Sequence, residues 1–145
     1  MFVSLGADHR GYFAKAELID WLKGRGIEYK DFGNTKFDHE DDYNDFAKAV
    51  VGDLLAYPAD DHLGILICGS AQGMAMQANR YKGIRAALCY NADVAKQARY
   101  HNAANVLCLP ADDQPDLIGI ATAFLETAPL SDERFRRRNE KLDEI

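Results

Sequence analysis

The stretch Leu63-Gly64-Ile65-Leu66-Ile67, followed by Cys68-Gly69-Ser70-Ala71-Gln72-Gly73, decides the fold of this chain. The continuous apolar run is typical of a central parallel strand that is covered by helices on both faces. The small residues behind it predict a tight turn that leads directly into a helix. We therefore expect a strand–loop–helix unit at the centre of an α/β domain.

The same alternation of short β-rich runs and longer amphipathic runs extends along the whole chain and is typical of repeated βα units. The predicted strands are 1–7, 27–32, 63–67, 84–89 and 106–109, and the predicted helices are 12–23, 43–55, 73–79, 93–100 and 117–126. In the first helix, Phe13, Leu18, Trp21 and Leu22 recur at helical spacing and should form its buried face. The segment 131–145 is so polar that we expect it to lie on a neighbouring element or on another subunit.

Length and composition limit the possible classes of protein. A chain of 145 residues with 48% hydrophobic and 28% charged residues fits one globular domain, 1–145. The net charge of −6 argues against a nucleic-acid partner. Neither a secretion signal nor a membrane span is predicted, and three cysteines without metal-site spacing suggest thiols in a reducing compartment. We expect a cytoplasmic protein.

Cys68 begins the most informative loop. Small residues at the start of a helix let backbone amides stabilise a phosphate or an enediolate. The loop lacks both the P-loop ending and the dinucleotide-binding GxGxxG pattern. A thiol at a helix N-terminus is expected to have a lowered pKa and to act as a base or nucleophile, while the alternative is an inert buried cysteine. A redox role is disfavoured because no second cysteine lies nearby in the sequence.

Other polar residues are also candidates for a site, and those that follow a strand lie where α/β sheets bind ligands. Asp8 and His9 follow the first strand and form either a turn or a carboxylate–imidazole pair at the mouth of a site. His101, with Asn102, is a candidate acid/base or a structural histidine. Arg134 and Arg138 share a helix face and suit a phosphate, or else belong to a solvated basic face.

Taken in order, these segments resemble the ribose-5-phosphate isomerase B family, which includes the galactose-6-phosphate isomerase subunits. The resemblance covers nearly the whole chain and rests on 6–11, 31–33, 42–47, 65–70, 78–79, 83–89, 101–107, 134–138 and Lys141. It implies a Rossmann-like three-layer sandwich with a five-stranded parallel sheet and a C-terminal helix used in oligomerisation. It also implies no metal and no cofactor, and a homodimer or homotetramer whose active sites are shared between subunits.

The resemblance further implies an aldose–ketose isomerase of carbohydrate metabolism that interconverts ribose 5-phosphate and ribulose 5-phosphate. Cys68 would move the proton through a cis-enediolate, because Met74 stands where relatives without this cysteine carry a glutamate base. Ser70 and His101 would assist ring opening. The remaining site residues it implies are Asp8, Tyr43 and Asn102 around the sugar, the loop residues Gly69, Ala71, Gln72 and Gly73 at the enediolate, and His9, Arg134 and Arg138 at the phosphate.

Four departures from the family pattern affect the substrate rather than the proton transfer. Asp112 stands where many members have a phosphate-binding arginine, and Phe135 stands where they have a histidine. Ala71 and Ala103 replace a glycine and an aspartate. The alternatives are therefore an isomerase of another four- to six-carbon sugar, phosphorylated or not, and a non-catalytic sugar-binding subunit, which the presence of Cys68 and His101 disfavours.

Overall fold

Five strands and six helices alternate along residues 1–112 and 116–144, the part of the chain that the computed structural model describes. The strands are β1 (Phe2–Ala7), β2 (Glu28–Asp31), β3 (His62–Cys68), β4 (Ala86–Leu88) and β5 (Val106–Pro110). The helices are α1 (Tyr12–Gly24), α2 (Tyr43–Ala56), α3 (Gln72–Ala78), α4 (Ala92–Asn102), α5 (Leu117–Glu126) and α6 (Glu133–Lys141). The predicted alternation of strands and helices is confirmed.

All strand pairs are parallel, and the strand order is β2-β1-β3-β5-β4. Ile65 pairs with Leu5 on one side and Leu107 on the other, so the apolar run that begins at Leu63 is the central strand, as predicted. The chain proceeds outward from β1 to β2 on one side, and β3, β5 and β4 lie on the other. The carboxyl ends of β1 and β3 therefore flank the crevice where such sheets bind ligands.

Successive side chains of β3 point to opposite faces of the sheet. Leu63, Ile65 and Ile67 pack in the cluster that contains residues of α1, α4 and α5. Leu66 and Cys68 pack in a second cluster with residues of α2 and α3. Every residue of β3 is buried, which confirms the three-layer sandwich and places the Cys68 side chain on the α2–α3 face.

The first helix differs from its predicted packing at one position. Leu18 and Leu22 are fully buried, but Phe13 is 74% exposed, so its assignment to the core face was wrong. The ring of Phe13 contacts Tyr12 and Phe37, at the start of α1 and in the loop before α2. At 3.6 residues per turn, Phe13 lies on the opposite side of α1 from Leu18 and Leu22, so it faces outward.

One element boundary also differs from prediction. Helix α4 continues to Asn102 and ends where Ala103 adopts a left-handed conformation (φ 45°), so His101 and Asn102 lie in its last turn and not after it. Helix α6 begins at Glu133, where the Asp132 carboxylate accepts a hydrogen bond from the amide of Arg134. All residues of α6 are at least partly exposed. Ile145, the last residue of the predicted segment 131–145, lies outside the described residues.

None of the helices within the described ranges is long and apolar enough to cross a membrane.

Candidate active site

Asp8 and Cys68 lie together at the carboxyl ends of β1 and β3. Ala7 pairs with Ile67, and the amide of Asp8 donates to the Ile67 carbonyl oxygen at 3.3 Å. The Asp8 carboxylate accepts from the amides of Arg10 and Gly11 at 2.9 and 3.2 Å, so the turn expected there is present. Burial raises the pKa of Asp8, and its charge also acts on the Cys68 thiol.

The Cys68 thiol is 5% exposed and is surrounded by backbone amides of the loop that follows it. Burial raises the pKa of Cys68 above its ordinary value, and the nearby Asp8 charge raises it further. Hydrogen bonds from the amides of Met74, Ala71 and Ser70 act in the opposite direction. The expectation of a lowered pKa was therefore wrong, because loss of water around the thiol outweighs the effect of the amides.

Two glycines of the Cys68 loop lie directly beneath side chains from other elements. A Cβ atom at position 73 would lie 2.6 Å from Cζ of Tyr43, the first residue of α2, and a Cβ at position 69 would collide with the Arg10 guanidinium. Gly69 and Gly73 thus allow Arg10 and Tyr43 to close over the loop. Neither contact could be read from the sequence, although the need for small residues could.

Other loop residues occupy the positions expected of them near Cys68. Ala71 adopts a left-handed conformation with φ 62°, which costs a residue with a Cβ atom roughly 1–2 kcal/mol relative to glycine. This conformation explains why glycine suits the position. The Ser70 hydroxyl is exposed and accepts a hydrogen bond from the amide of Gln72 at 3.4 Å.

His9 is held by an aspartate that was not predicted as a site residue. Oδ1 of Asp41 lies 2.7 Å from Nδ1 of His9 and also accepts from the His9 amide at 3.1 Å. Oδ2 of Asp41 accepts from Nδ2 of Asn34 at 3.1 Å. The hydrogen bond to Asp41 raises the pKa of His9 and favours its imidazolium form. The only signal in the sequence was the long polar loop 34–42 that carries Asp41.

Donor atoms of Asp8, His9 and Asp41 lie within 4.8 Å of one another, so these three side chains have the spacing of cation ligands. Nδ1 of His9 is, however, already engaged by Asp41. The hydrogen bond between imidazolium and carboxylate accounts for this arrangement without a cation.

His101 belongs to a second group of polar residues on α4 and α6. Its ring lies 4.9 Å from that of Phe135, and its carbonyl oxygen accepts from Nδ2 of Asn139 at 3.2 Å. Cζ of Arg134 lies 5.0 Å from the centre of the Phe135 ring. Arg136 forms ion pairs with Glu133 and Glu140, so this arginine belongs to a solvated, charge-balanced face of α6. Arg134 and Arg138 are exposed.

The two groups lie at opposite ends of the parallel strands, the Cys68 group at the carboxyl ends and the His101 group at the amino ends. The Asn102 carbonyl oxygen accepts from Arg85, which precedes β4, and the Asn105 carbonyl oxygen accepts from the Gly64 amide near the start of β3. From Gly64 to Cys68 the strand advances roughly 13 Å. One chain therefore does not bring His101, Asn102, Arg134 and Arg138 to Cys68.

A cleft of about 670 Å³ lies at the amino ends of the strands, and His62, Arg85 and Asn105 are among the residues that line it. It contains none of the predicted site residues. We assign the candidate site to the carboxyl ends of β1 and β3, because a buried thiol, a carboxylate and several backbone amides meet there. Such an arrangement can remove a proton from carbon and stabilise the resulting oxyanion.

Comparison with known proteins gives a consistent result. Residues 3–142 match the family model described as "Ribose/Galactose Isomerase". Among curated proteins, the chain is 39% identical over 142 residues to the probable ribose-5-phosphate isomerase B of Mycoplasma genitalium. That match covers 97% of this chain and 92% of the relative.

Two solved structures have nearly the same fold. A ribose 5-phosphate isomerase from Thermotoga maritima has a TM-score of 0.92 and 41% identity, and the match covers 99% of this chain and 98% of that one. The ribose-5-phosphate isomerase B of Mycoplasma genitalium, solved with bound ribulose-5-phosphate, has a TM-score of 0.90 and 36% identity. Here the match covers 99% of this chain and 94% of the other.

Proposed function

Because the chain belongs to the ribose/galactose isomerase family, we propose that it interconverts ribose 5-phosphate and ribulose 5-phosphate with Cys68 as the base. The observation that carries this proposal is the position of the thiol. It lies buried at the end of β3, among the amides of Ser70, Ala71 and Met74. These amides supply the stabilisation that an enediolate requires, and the thiolate supplies a base beside it.

In this reaction the Cys68 thiolate removes the proton from C2 of the open-chain aldose, and the electrons of the C–H bond form the C1–C2 double bond. The C1 carbonyl oxygen becomes the enediolate oxyanion and accepts hydrogen bonds from the loop amides. The thiol then returns the proton to C1 while O2 becomes the new carbonyl oxygen. The O2 proton is transferred to O1, so no proton or electron is gained or lost.

Opening of the furanose ring precedes proton transfer. It requires a base at the anomeric hydroxyl and an acid at the ring oxygen. We assign these tasks to Ser70 and His101, with Asp8, Tyr43 and Asn102 holding the sugar hydroxyls. Support for Tyr43 comes from its ring, which lies on Gly73 at the Cys68 loop.

The phosphate is assigned to His9, Arg134 and Arg138. His9 suits this role because Asp41 raises its pKa and fixes its ring, so the imidazolium form persists to higher pH. The charged groups near His9 are Asp8, Asp41 and Arg10, and the His39 ring lies 5.8 Å away. Asp41 thereby acts as a positioning residue for a phosphate ligand.

A complete site requires two chains. Four of the assigned residues lie at the end of the strands opposite to Cys68, so a second subunit must supply them: His101, Asn102, Arg134 and Arg138. We therefore propose a homodimer, alone or as half of a homotetramer, in which α6 carries the arginines to the partner's site. A polar α6 that contains no buried residue is consistent with that role. As an enzyme of sugar metabolism it would work in the cytoplasm.

The direct test of substrate choice is a turnover assay with ribose 5-phosphate, ribose, galactose 6-phosphate and a four-carbon aldose phosphate. We expect ribose 5-phosphate to have the highest kcat/KM. A higher kcat/KM for another sugar would replace the substrate but keep the chemistry. Failure of the purified wild-type protein to isomerise any of them would contradict the proposal and favour a sugar-binding subunit.

The raised pKa of Cys68 predicts how activity depends on pH. The base must be deprotonated, and below its pKa the thiolate fraction increases about tenfold per pH unit. We therefore expect kcat/KM to rise steeply between about pH 7 and pH 8.5, measured at constant ionic strength. A profile that is level over this range would mean that the thiol is not the group that loses the proton.

A further inference from the structure

Asp112 does not present an isolated negative charge to the candidate site. Its carboxylate accepts a hydrogen bond from Nη2 of Arg10, which lies 102 positions earlier in the chain. The amide of Asp112 donates to the Gly69 carbonyl oxygen at 3.0 Å, and the preceding amide, Ala111, donates to that of Cys68 at 2.9 Å. The Arg10–Asp112 pair is therefore attached directly to the Cys68 loop.

Arg10 is fixed at both ends. Its amide donates to the Asp8 carboxylate at 2.9 Å, and its guanidinium lies so close to Gly69 that a Cβ atom there would collide with it. The side chain is nevertheless 55% exposed. Arginine has five N–H donors in a rigid plane, so the contact with Asp112 leaves donors that solvent can reach.

We propose that Arg10 binds the phosphate of the sugar and that Asp112 positions its guanidinium for this contact. The proposal rests on the sugar-phosphate isomerase function above and deepens it. The loop amides and the thiol hold the reacting carbons, whereas Arg10 follows His9 in the chain and its guanidinium lies against Gly69. A planar guanidinium with free donors is the side chain best suited to a phosphate dianion.

A purely structural role predicts a different result. An ion pair between half-exposed side chains contributes little to folding, so its loss should leave the protein folded. Loss of a hydrogen bond to a charged ligand weakens binding by roughly tenfold to a hundredfold. The two roles are therefore separated by phosphate affinity together with thermal unfolding.

The test titrates inorganic phosphate into wild type, Arg10→Ala and Arg25→Ala, with binding followed by phosphorus NMR. Arg25 is the matched control, since its 47% exposed side chain also pairs with one acid, Glu126, at the far end of α1. We expect Arg10→Ala to weaken phosphate binding and to raise KM for ribose 5-phosphate about tenfold or more. It should lower kcat/KM for unphosphorylated ribose by a much smaller factor than kcat/KM for ribose 5-phosphate, and Arg25→Ala should resemble wild type in all of these measurements.

Asp112→Asn tests the role of Asp112, because it keeps the side-chain shape but removes the carboxylate that pairs with Arg10. If the carboxylate positions the guanidinium, phosphate affinity in Asp112→Asn should fall about threefold or more, even though a negative charge has been removed. Unchanged or higher phosphate affinity in a folded Asp112→Asn would overturn the role of Asp112. Unchanged phosphate affinity in a folded Arg10→Ala would overturn the proposal itself. Wild type that binds phosphate through Arg10 but isomerises no sugar would instead contradict only the proposed function.

Discussion

Replacement of Cys68 by alanine is expected to lower kcat for ribose 5-phosphate by about a thousandfold or more. Among the described residues, Cys68 is the only thiol that loop amides surround at the carboxyl ends of the strands. The neighbouring Met74 side chain cannot accept a proton. Cys68→Ser should be nearly as inactive, because a serine hydroxyl ionises far less readily than a thiol. KM should change little, since the phosphate contacts remain.

Cys108 provides the matched control for this replacement. It is a buried thiol on the adjacent strand, pairs with Leu66 and packs in the same cluster as Cys68, but lies two positions before the end of β5. Cys108→Ala should keep activity within about threefold of wild type while it loses similar packing. If Cys68→Ala and Cys108→Ala had equal activity, Cys68 would have no special role in proton transfer.

His101→Ala is expected to lower activity by about 10²- to 10⁴-fold, and mixing it with Cys68→Ala is expected to restore activity. In a mixed dimer with two-fold symmetry, one of the two sites combines an intact Cys68 with an intact His101. Random exchange of equal amounts makes half of the dimers mixed, so about a quarter of wild-type activity should return. This recovery follows only if the two residues come from different chains.

The control for the mixing experiment carries both replacements on one chain. Cys68→Ala/His101→Ala mixed with wild type should yield mixed dimers in which neither site is intact, so activity should fall below that expected by dilution. Subunit exchange is verified by native mass spectrometry of the mixture. Exchanged dimers without any recovered activity would contradict the shared site.

Much of the fold could be predicted because it depends on local patterns. The run from Leu63 to Ile67 is typical of a strand buried on both faces, and the alternation around it predicts parallel βα units. The burial of Phe13 was predicted wrongly. Phe13 lies five residues before Leu18 and nine before Leu22, which at 3.6 residues per turn places it on the opposite side of α1 from both. Its contact with Phe37 joins it to a distant loop and could not be predicted.

The candidate site was predictable as a set of residue types but not as a set of contacts. The importance of Cys68 follows from its position after a central strand, whereas the direction of its pKa shift depends on burial, which no local pattern reports. The contacts of Arg10 with Asp112 and of His9 with Asp41 join residues far apart in sequence. Asp112 alone suggests an unfavourable charge, and only the fold reveals its partner.

The most direct test of proton transfer follows ribose 5-phosphate by NMR in D₂O with wild type and Cys68→Ala side by side. A base that moves a proton through an enediolate exchanges part or all of it with solvent. We predict that wild type forms ribulose 5-phosphate with deuterium at C1, and that Cys68→Ala forms neither product nor exchanged substrate. Rapid conversion by Cys68→Ala, or exchange of the C2 hydrogen of ribose 5-phosphate with solvent in Cys68→Ala, would contradict the role of Cys68.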